Sequence, residues 1–282
     1  MNWAQGGFST LICDRQRRSK PNYMSRVNIK HHASDSHMST AETNTWGIQE
    51  IVLGDTVSAW RNAGYNVDTE KTVDMNNVRI RLTEQGGGLL GIVFGAPIEM
   101  GISTSIQLPP VITGLSTFVE ACRPEGAKAP SHPNACKQLG ELVLYAQDLY
   151  GFVRQFESVG LFTHEHKPPK LFRGGVYAVA KFYLSNNLRL LVFGPTDLRH
   201  DSSKNPQLWM LGRGLNGAKV ELTGYLAICS NLKLLKDSVK GKIGEIKKAV
   251  QNGRQIATLK RGAIHNLTGT FAFLSDGEGD LF

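Results

Sequence analysis

Apolar and polar positions along this chain fall into short runs of period two, separated by brief stretches of helical spacing, and these runs recur in a fixed order. Across residues 141–195 the apolar run 142–146 predicts a strand and Asp148 predicts an N-cap. Phe152, Phe156 and Val159 then share one face of a helix that Gly160 closes. Val176, Ala178, Ala180, Phe182 and Leu184 alternate with Tyr177, Val179, Lys181, Tyr183 and Ser185. The pair Asn186 and Asn187 predicts a turn into a strand over 188–193, because Asn tolerates positive φ.

The same order occurs twice more. Over residues 49–97, the apolar run ending at Leu53 precedes Asp55 as N-cap, Val57 and Trp60 on one helix face, and Gly64 as the stop. The run 78–82 alternates, and the run 89–94 is expected to pair with it across Gly86, Gly87 and Gly88. Over residues 222–274, Tyr225 to Ile228 leads to Asn231 as cap, Leu234 and Leu235 as apolar stripe, and Gly241 as stop. A second helix is expected over 243–250, then strands over 255–259 and 270–274. Three such repeats leave a set of paired sheets incomplete, so a homodimer or a degenerate fourth repeat is needed to finish it. The connectors 98–140 and 196–219 are long enough to serve as linkers or as lids over a site.

Composition narrows the class. With 282 residues, 41% hydrophobic and 20% charged, the chain suits two globular domains or one composite domain. The net charge of +8 is divided between the N-terminal tail and residues 233–248, without aromatic interleaving or zinc-finger spacing, so nucleic acid is not the expected partner. No apolar run approaches the ~20 residues of a membrane span. Cys13, Cys122, Cys136 and Cys229 include no CxxC pair. Cys122 and Cys136 bracket a loop that a disulfide would close, but reduced thiols are expected. Residues 1–45 have no periodicity and read as a disordered or targeting tail, with Met38 as an alternative start. Their basic, acid-poor composition has the character of a mitochondrial leader, against an otherwise cytoplasmic expectation. His31, His32 and His37 in this tail are expected to be solvated.

A strand, a helix and an antiparallel set of strands, repeated in tandem over about residues 46–275, resemble the module of the vicinal oxygen chelate superfamily. That superfamily includes glyoxalase I, extradiol dioxygenases and bleomycin-resistance proteins. A glyoxalase-like subgroup is matched through Gly54-Asp55 to Gly64, Thr113-Gly114-Leu115-Ser116-Thr117, His132-Pro133-Asn134, and the segment from Ala249 to Leu259. The resemblance implies an α+β fold of βαβββ modules, with curled mixed sheets and helices on the convex side. It implies a tail over 1–45, a first module with its connector over 46–135, and second and third repeats over 136–282. It places metal ligands on the first strand of a module, where Glu141 and Glu50 stand, and near the last strand. In 89–94 and 188–193 that last-strand position offers only glycine, aliphatics and arginine. The resemblance therefore points to no metal cofactor, with a divalent ion held by other residues as the alternative.

If the apolar face of each strand meets the helices, the opposite face presents Arg79 and Arg81, then Tyr177, Lys181 and Tyr183, with Arg189 and Arg254 from neighbouring strands. Such a lining suits an anionic, enolic or carbonyl-rich ligand, with Lys181 or an arginine stabilising developing negative charge. Glu50 and Glu141 are candidate general acids or bases, and Glu141 is preferred. His132, His164 and His166 are read as exposed loop residues, and Cys229 as buried packing. No phosphate loop, GxSxG elbow or HExxH helix is present. The expectation is a metal-independent isomerase, cyclase or lyase acting on a small carbonyl or polyketide-like compound of secondary metabolism. The alternatives are a non-catalytic small-molecule binding or resistance protein and a metal-dependent lyase or dioxygenase.

Overall fold

The structure is a computed structural model. It describes residues 46–96, 101, 104–108, 115–121, 130–158, 161, 165–172, 175–195, 220–248 and 254–276, with the backbone alone at 155, 158, 165–172, 175 and 176. The expected tail, the connector 196–219, Val159, Gly160, His164 and the end of the chain lie outside the described residues. The elements run β1 (Gly47–Leu53), α1 (Val57–Asn62), β2 (Thr72–Asp74), β3 (Arg79–Leu82), β4 (Leu89–Ala96), β5 (Ile106–Leu108) and β6 (Ser116–Ala121). They continue with β7 (Cys136–Ala146), α2 (Leu149–Ser158), β8 (Glu165–Phe172), β9 (Gly175–Tyr183) and β10 (Arg189–Pro195). The last set is β11 (Val220–Cys229), α3 (Leu232–Ser238), β12 (Lys247–Lys248), β13 (Gln255–Thr258) and β14 (Thr270–Ser275).

One rule generates both sheets: the first strand of a unit pairs in parallel with its last, and the strands between fold back antiparallel. In the second sheet this gives β7-β10-β9-β8 and β11-β14-β13-β12, joined where β7 and β11 pair antiparallel into eight strands. In the first sheet it gives β1-β3-β2 and β4-β6-β5, joined where β1 and β4 pair antiparallel into six strands. Among the described residues there are thus four units, the first two each a strand shorter than the others. The fourth unit that three sequence repeats lacked is β4 to β6, within this chain.

This corrects the pairing expected for the run 89–94. It does not join β3; β1 lies between them, and β4 opens the next unit. The reason is the glycine loop: Gly86, Gly87 and Gly88 all have positive φ and carry the chain over the end of β1. There Gly54 N donates to Gly88 O at 2.9 Å and Gly87 N donates to Gly54 O at 3.0 Å. A Cβ on Gly54 would meet Gly87 backbone at 2.7 Å, so only glycine permits the crossing.

The caps are local. Thr56, not Asp55, caps α1, its side chain accepting from Ala59 N. Asp148 and Asn231 cap as expected, Asp148 accepting from Gly151 N at 2.8 Å and Asn231 from Lys233 N at 2.9 Å and Leu234 N at 3.2 Å. The apolar stripe of α3 is Leu232 and Leu235, whereas Leu234 is 51% exposed. The helix expected over 243–250 is absent from its described part. Ile243 bridges Leu259 and β12 follows, because strand pairing with β13 supplies the partners a helix would have provided. His166 lies in edge strand β8, where a register shift between Lys167 and Lys170 accommodates two prolines.

The core lies between the sheets. Ile48, Ile51, Ile80, Ile92 and Phe94 from the first sheet share one cluster with Leu142, Leu144, Ala180, Phe182, Leu190 and Val192 from the second. Helices α1 and α2 fill it. Trp60 packs edge-on against Tyr225 and Phe271 with ring centroids 6.0 and 5.3 Å away, and Phe156 contacts Phe94 and Phe182 at 5.1 and 6.2 Å. Polar links at the margin fix the register between the halves. Asn186 Nδ2 donates to Ile48 O and Asn77 O, and Asn77 Nδ2 donates to Leu139 O. Buried Asp55 accepts from Trp60 Nε1 at 3.0 Å, Thr268 N at 2.9 Å and the Thr268 hydroxyl, tying the first unit to the fourth.

Candidate functional site

Both sheets turn one face to this shared core, so each has an outer face. On the second sheet strand alternation sends Glu141, Val143 and Tyr145 of β7 outward, while Leu142, Leu144 and Ala146 face the core. Register places Arg189, Leu191 and Phe193 of β10 beside them, then Tyr183, Lys181 and Val179 of β9. On the other side Glu221 pairs with Tyr145 and Leu226 with Glu141, and Ala272 and Leu274 of β14 lie beyond. Val143, Tyr145, Leu191, Leu226, Ile228, Ala272 and Leu274 are buried although they are not part of the core. The middle of the outer face is therefore shielded from solvent, while Lys181, Tyr183 and Phe193 beside it are half-buried.

Two chemical regions occupy it. Midway along β7, where β10 begins and β9 ends, Arg189 Nη2 and Glu141 Oε2 form an ion pair at 2.9 Å, with Tyr183 and Lys181 following on β9. Further along is an aromatic cluster: Tyr145 and Tyr177 contact Phe193 edge-on, with ring centroids at 5.5 and 6.4 Å. Tyr145 is 3% exposed, and its hydroxyl has no hydrogen-bond partner among the described residues. Burial, then the neighbouring Tyr177 and Glu221, push its pKa up to about 12. Burial alone raises Tyr177 and Glu221. This end offers two tyrosine hydroxyls and a carboxyl whose pKa burial raises, among apolar side chains.

The first sheet repeats the central feature. Glu50 of β1 accepts from Arg81 Nε at 2.8 Å, and Glu50 is in register with Arg79 as Glu141 is with Arg189. Arg79 Nε pairs with Asp74 at 2.8 Å. Arg254 is set apart, its Nε donating to Ser275 O at 2.6 Å where β14 ends. The sequence-derived residues thus divide among three places. Glu141, Lys181, Tyr177, Tyr183 and Arg189 come together on the second sheet, Glu50, Arg79 and Arg81 gather on the first, and Arg254 joins neither group.

His132 is buried, against its expected exposure. Its Nδ1 accepts from Asn66 N at 3.1 Å, which leaves Nε2 to donate to Asp74 O at 3.0 Å. Burial holds its pKa below the usual histidine value, so it is a neutral structural link. Tyr145, Phe193 and Glu221 were missed in the sequence. Reading the run 142–146 as uniformly apolar hid the alternation of Glu141, Val143 and Tyr145 that would have found the tyrosine.

The paired-unit topology matches known structures. A triple mutant of 4-hydroxymandelate synthase from Streptomyces coelicolor superimposes over 84% of this chain and 94% of its own, with a TM-score of 0.52 and 8% identity. The chain has the vicinal oxygen chelate fold. A second match of this fold is a fusion of a xylose isomerase-like TIM barrel with a 4-hydroxyphenylpyruvate dioxygenase. It covers 86% of this chain at a TM-score of 0.53 and 9% identity, and the chain spans 51% of its length. No family profile matches the sequence, and no curated protein is similar to it.

A divalent ion is the group this fold would imply, and the donor set does not fit one. Among the described residues no three His, Cys, Asp or Glu side chains gather closely enough to hold it. The first-strand carboxylates Glu50 and Glu141 already face guanidinium groups, on β3 and β10, the strands parallel to their own. Among the described residues no helix is long and apolar enough to cross a membrane.

Proposed function

We propose that the chain is a metal-independent enzyme that isomerises, cyclises or cleaves a small carbonyl compound on the outer face of the second sheet. The observation that carries this reading is the buried hydroxyl of Tyr145, which has no partner among the described residues, on the outer face beside its cross-strand neighbour Glu221. A buried hydroxyl ordinarily has a partner, and one aimed away from the core awaits a ligand oxygen. Phe193, Leu191 and Leu226 would hold the apolar body of the ligand, and Tyr145 and Tyr177 would donate to its carbonyl.

Each group then has a task. The carboxylate of Glu221 takes a proton from the carbon next to the carbonyl and returns it at a second position, or to a leaving group, which gives isomerisation or cleavage. Its raised pKa suits this work near neutrality better than an ordinary carboxylate. Hydrogen bonds from Tyr145 and Tyr177 stabilise the enolate oxygen as charge develops. Arg189 neutralises Glu141, so that pair supplies a fixed dipole beside Lys181, and Lys181 attracts any anionic end of the ligand.

The test is native mass spectrometry of freshly purified full-length protein, followed by incubation and reanalysis of the co-purified small molecule. Conversion by the wild type and retention of the unaltered compound by Glu221→Gln support the proposal. Recovery of the same unaltered compound from both proteins would instead identify a binding protein.

A further inference from the structure

We propose that Cys136 and Cys229 form a cross-strand disulfide that fastens β7 to β11. The two residues are direct register partners at the end of this antiparallel pair, and their thiols, free in the structure, meet side by side with the sulfur atoms 2.7 Å apart. Both are buried in the shared core, with the Tyr65 hydroxyl beside them. The flanking backbone holds them there. Cys136 N donates to Asn134 Oδ1 at 3.0 Å, Ser230 N to Ala135 O at 2.9 Å, and Asp276 N to Cys229 O at 2.7 Å. Lys137 and Asp276 close the same end with an ion pair at 2.9 Å.

The chemistry needs an oxidant, and a small-molecule disulfide of the glutathione class supplies it. One cysteine thiolate attacks that disulfide and releases one thiol. The second cysteine thiolate displaces the other from the mixed disulfide, so two protons and two electrons leave the protein. Burial pushes the Cys229 thiol far up, and neither sulfur is exposed in the folded chain. The exchange therefore takes place while β7 and β11 are still apart, and the finished bond is shielded from reductants. The link closes a loop of 93 residues, a length at which a cross-link removes much of the unfolded chain's freedom. It also pins the seam on which Glu141 and Tyr145 of β7 face Leu226 and Glu221 of β11.

Full-length protein is unfolded and refolded in a buffer of reduced and oxidised glutathione, and in parallel in a phosphine reductant. Both samples are alkylated under denaturing conditions, digested and analysed by mass. The first sample is expected to yield a peptide pair joining Cys136 to Cys229 and a urea midpoint shifted upward. The double variant C136A/C229A should show the same midpoint in both buffers. Equal alkylation of Cys136 and Cys229 in the two samples, or linkage of either to Cys13 or Cys122, overturns the proposal. The peptide result on wild-type protein decides this even if the double variant does not fold.

Discussion

Glu141 and Arg189 stand directly opposite each other on neighbouring parallel strands, and their side chains meet in an ion pair at 2.9 Å. Because Glu141 is buried and Arg189 half-buried, removing the cation leaves a carboxylate that solvent reaches poorly. Arg189→Ala is therefore expected to lower stability by about 2 kcal/mol, between the ranges for exposed and buried pairs. The double variant R189A/E141Q should recover most of that loss. Urea denaturation of the three proteins checks this as a double-mutant cycle.

The strands of this site and the β9–β10 hairpin through Asn186 and Asn187 were legible in the sequence, but the pairings between units were not. Alternation on β9 correctly set Tyr177, Lys181 and Tyr183 against Ala178, Ala180 and Phe182, since period two fixes the face without knowledge of neighbours. The same argument could not tell that β4 pairs with β1, because that choice depends on a loop of three left-handed glycines crossing a strand end. Nor could it assign Asp55, which has a cap's position but accepts hydrogen bonds from Thr268, 213 residues away. Contacts between distant units leave no local periodicity behind.

Asp55 gives a pH test with a definite sign. Burial raises its folded pKa above the ordinary 3.8, and the hydrogen bonds from Thr268 and Trp60 offset only part of this. A raised folded pKa contributes stability that is fully present below the unfolded value and is lost as pH rises through the folded one. Asp55→Asn keeps the shape and an acceptor while removing the titration. The stability of the wild type relative to this variant should therefore fall as pH climbs above 3.8, as followed by thermal unfolding across that range.

Asn186 holds the two halves in register through its donations to Ile48 O at 2.8 Å and Asn77 O at 2.7 Å. Asn186→Ala leaves both carbonyls short of a donor, at an expected cost of about 1–3 kcal/mol. Hydrogen exchange should show faster opening of the β1 end near Gly47. Unchanged protection there would show that the apolar core alone sets the register.

Tyr145 and Glu221 should separate in kinetics once the co-purified compound is in hand. Tyr145→Phe removes a donor that acts on developing charge, so kcat should fall about 100-fold, with a smaller change in KM. Glu221 works as a base, so wild-type kcat/KM should rise as pH climbs past the ordinary carboxylate value of 4.5 toward its raised folded value. Glu221→Gln should abolish that limb of the profile. The pH-rate profiles of the three proteins check both statements.

The account rests on carboxylates that are neutralised by arginine instead of by a divalent ion. Metal content of full-length, tag-free protein, measured by elemental mass spectrometry for the wild type and Glu141→Ala, tests it most directly. The predicted result is divalent metal far below one ion per chain in both proteins. One ion per wild-type chain, lost in Glu141→Ala, would contradict it.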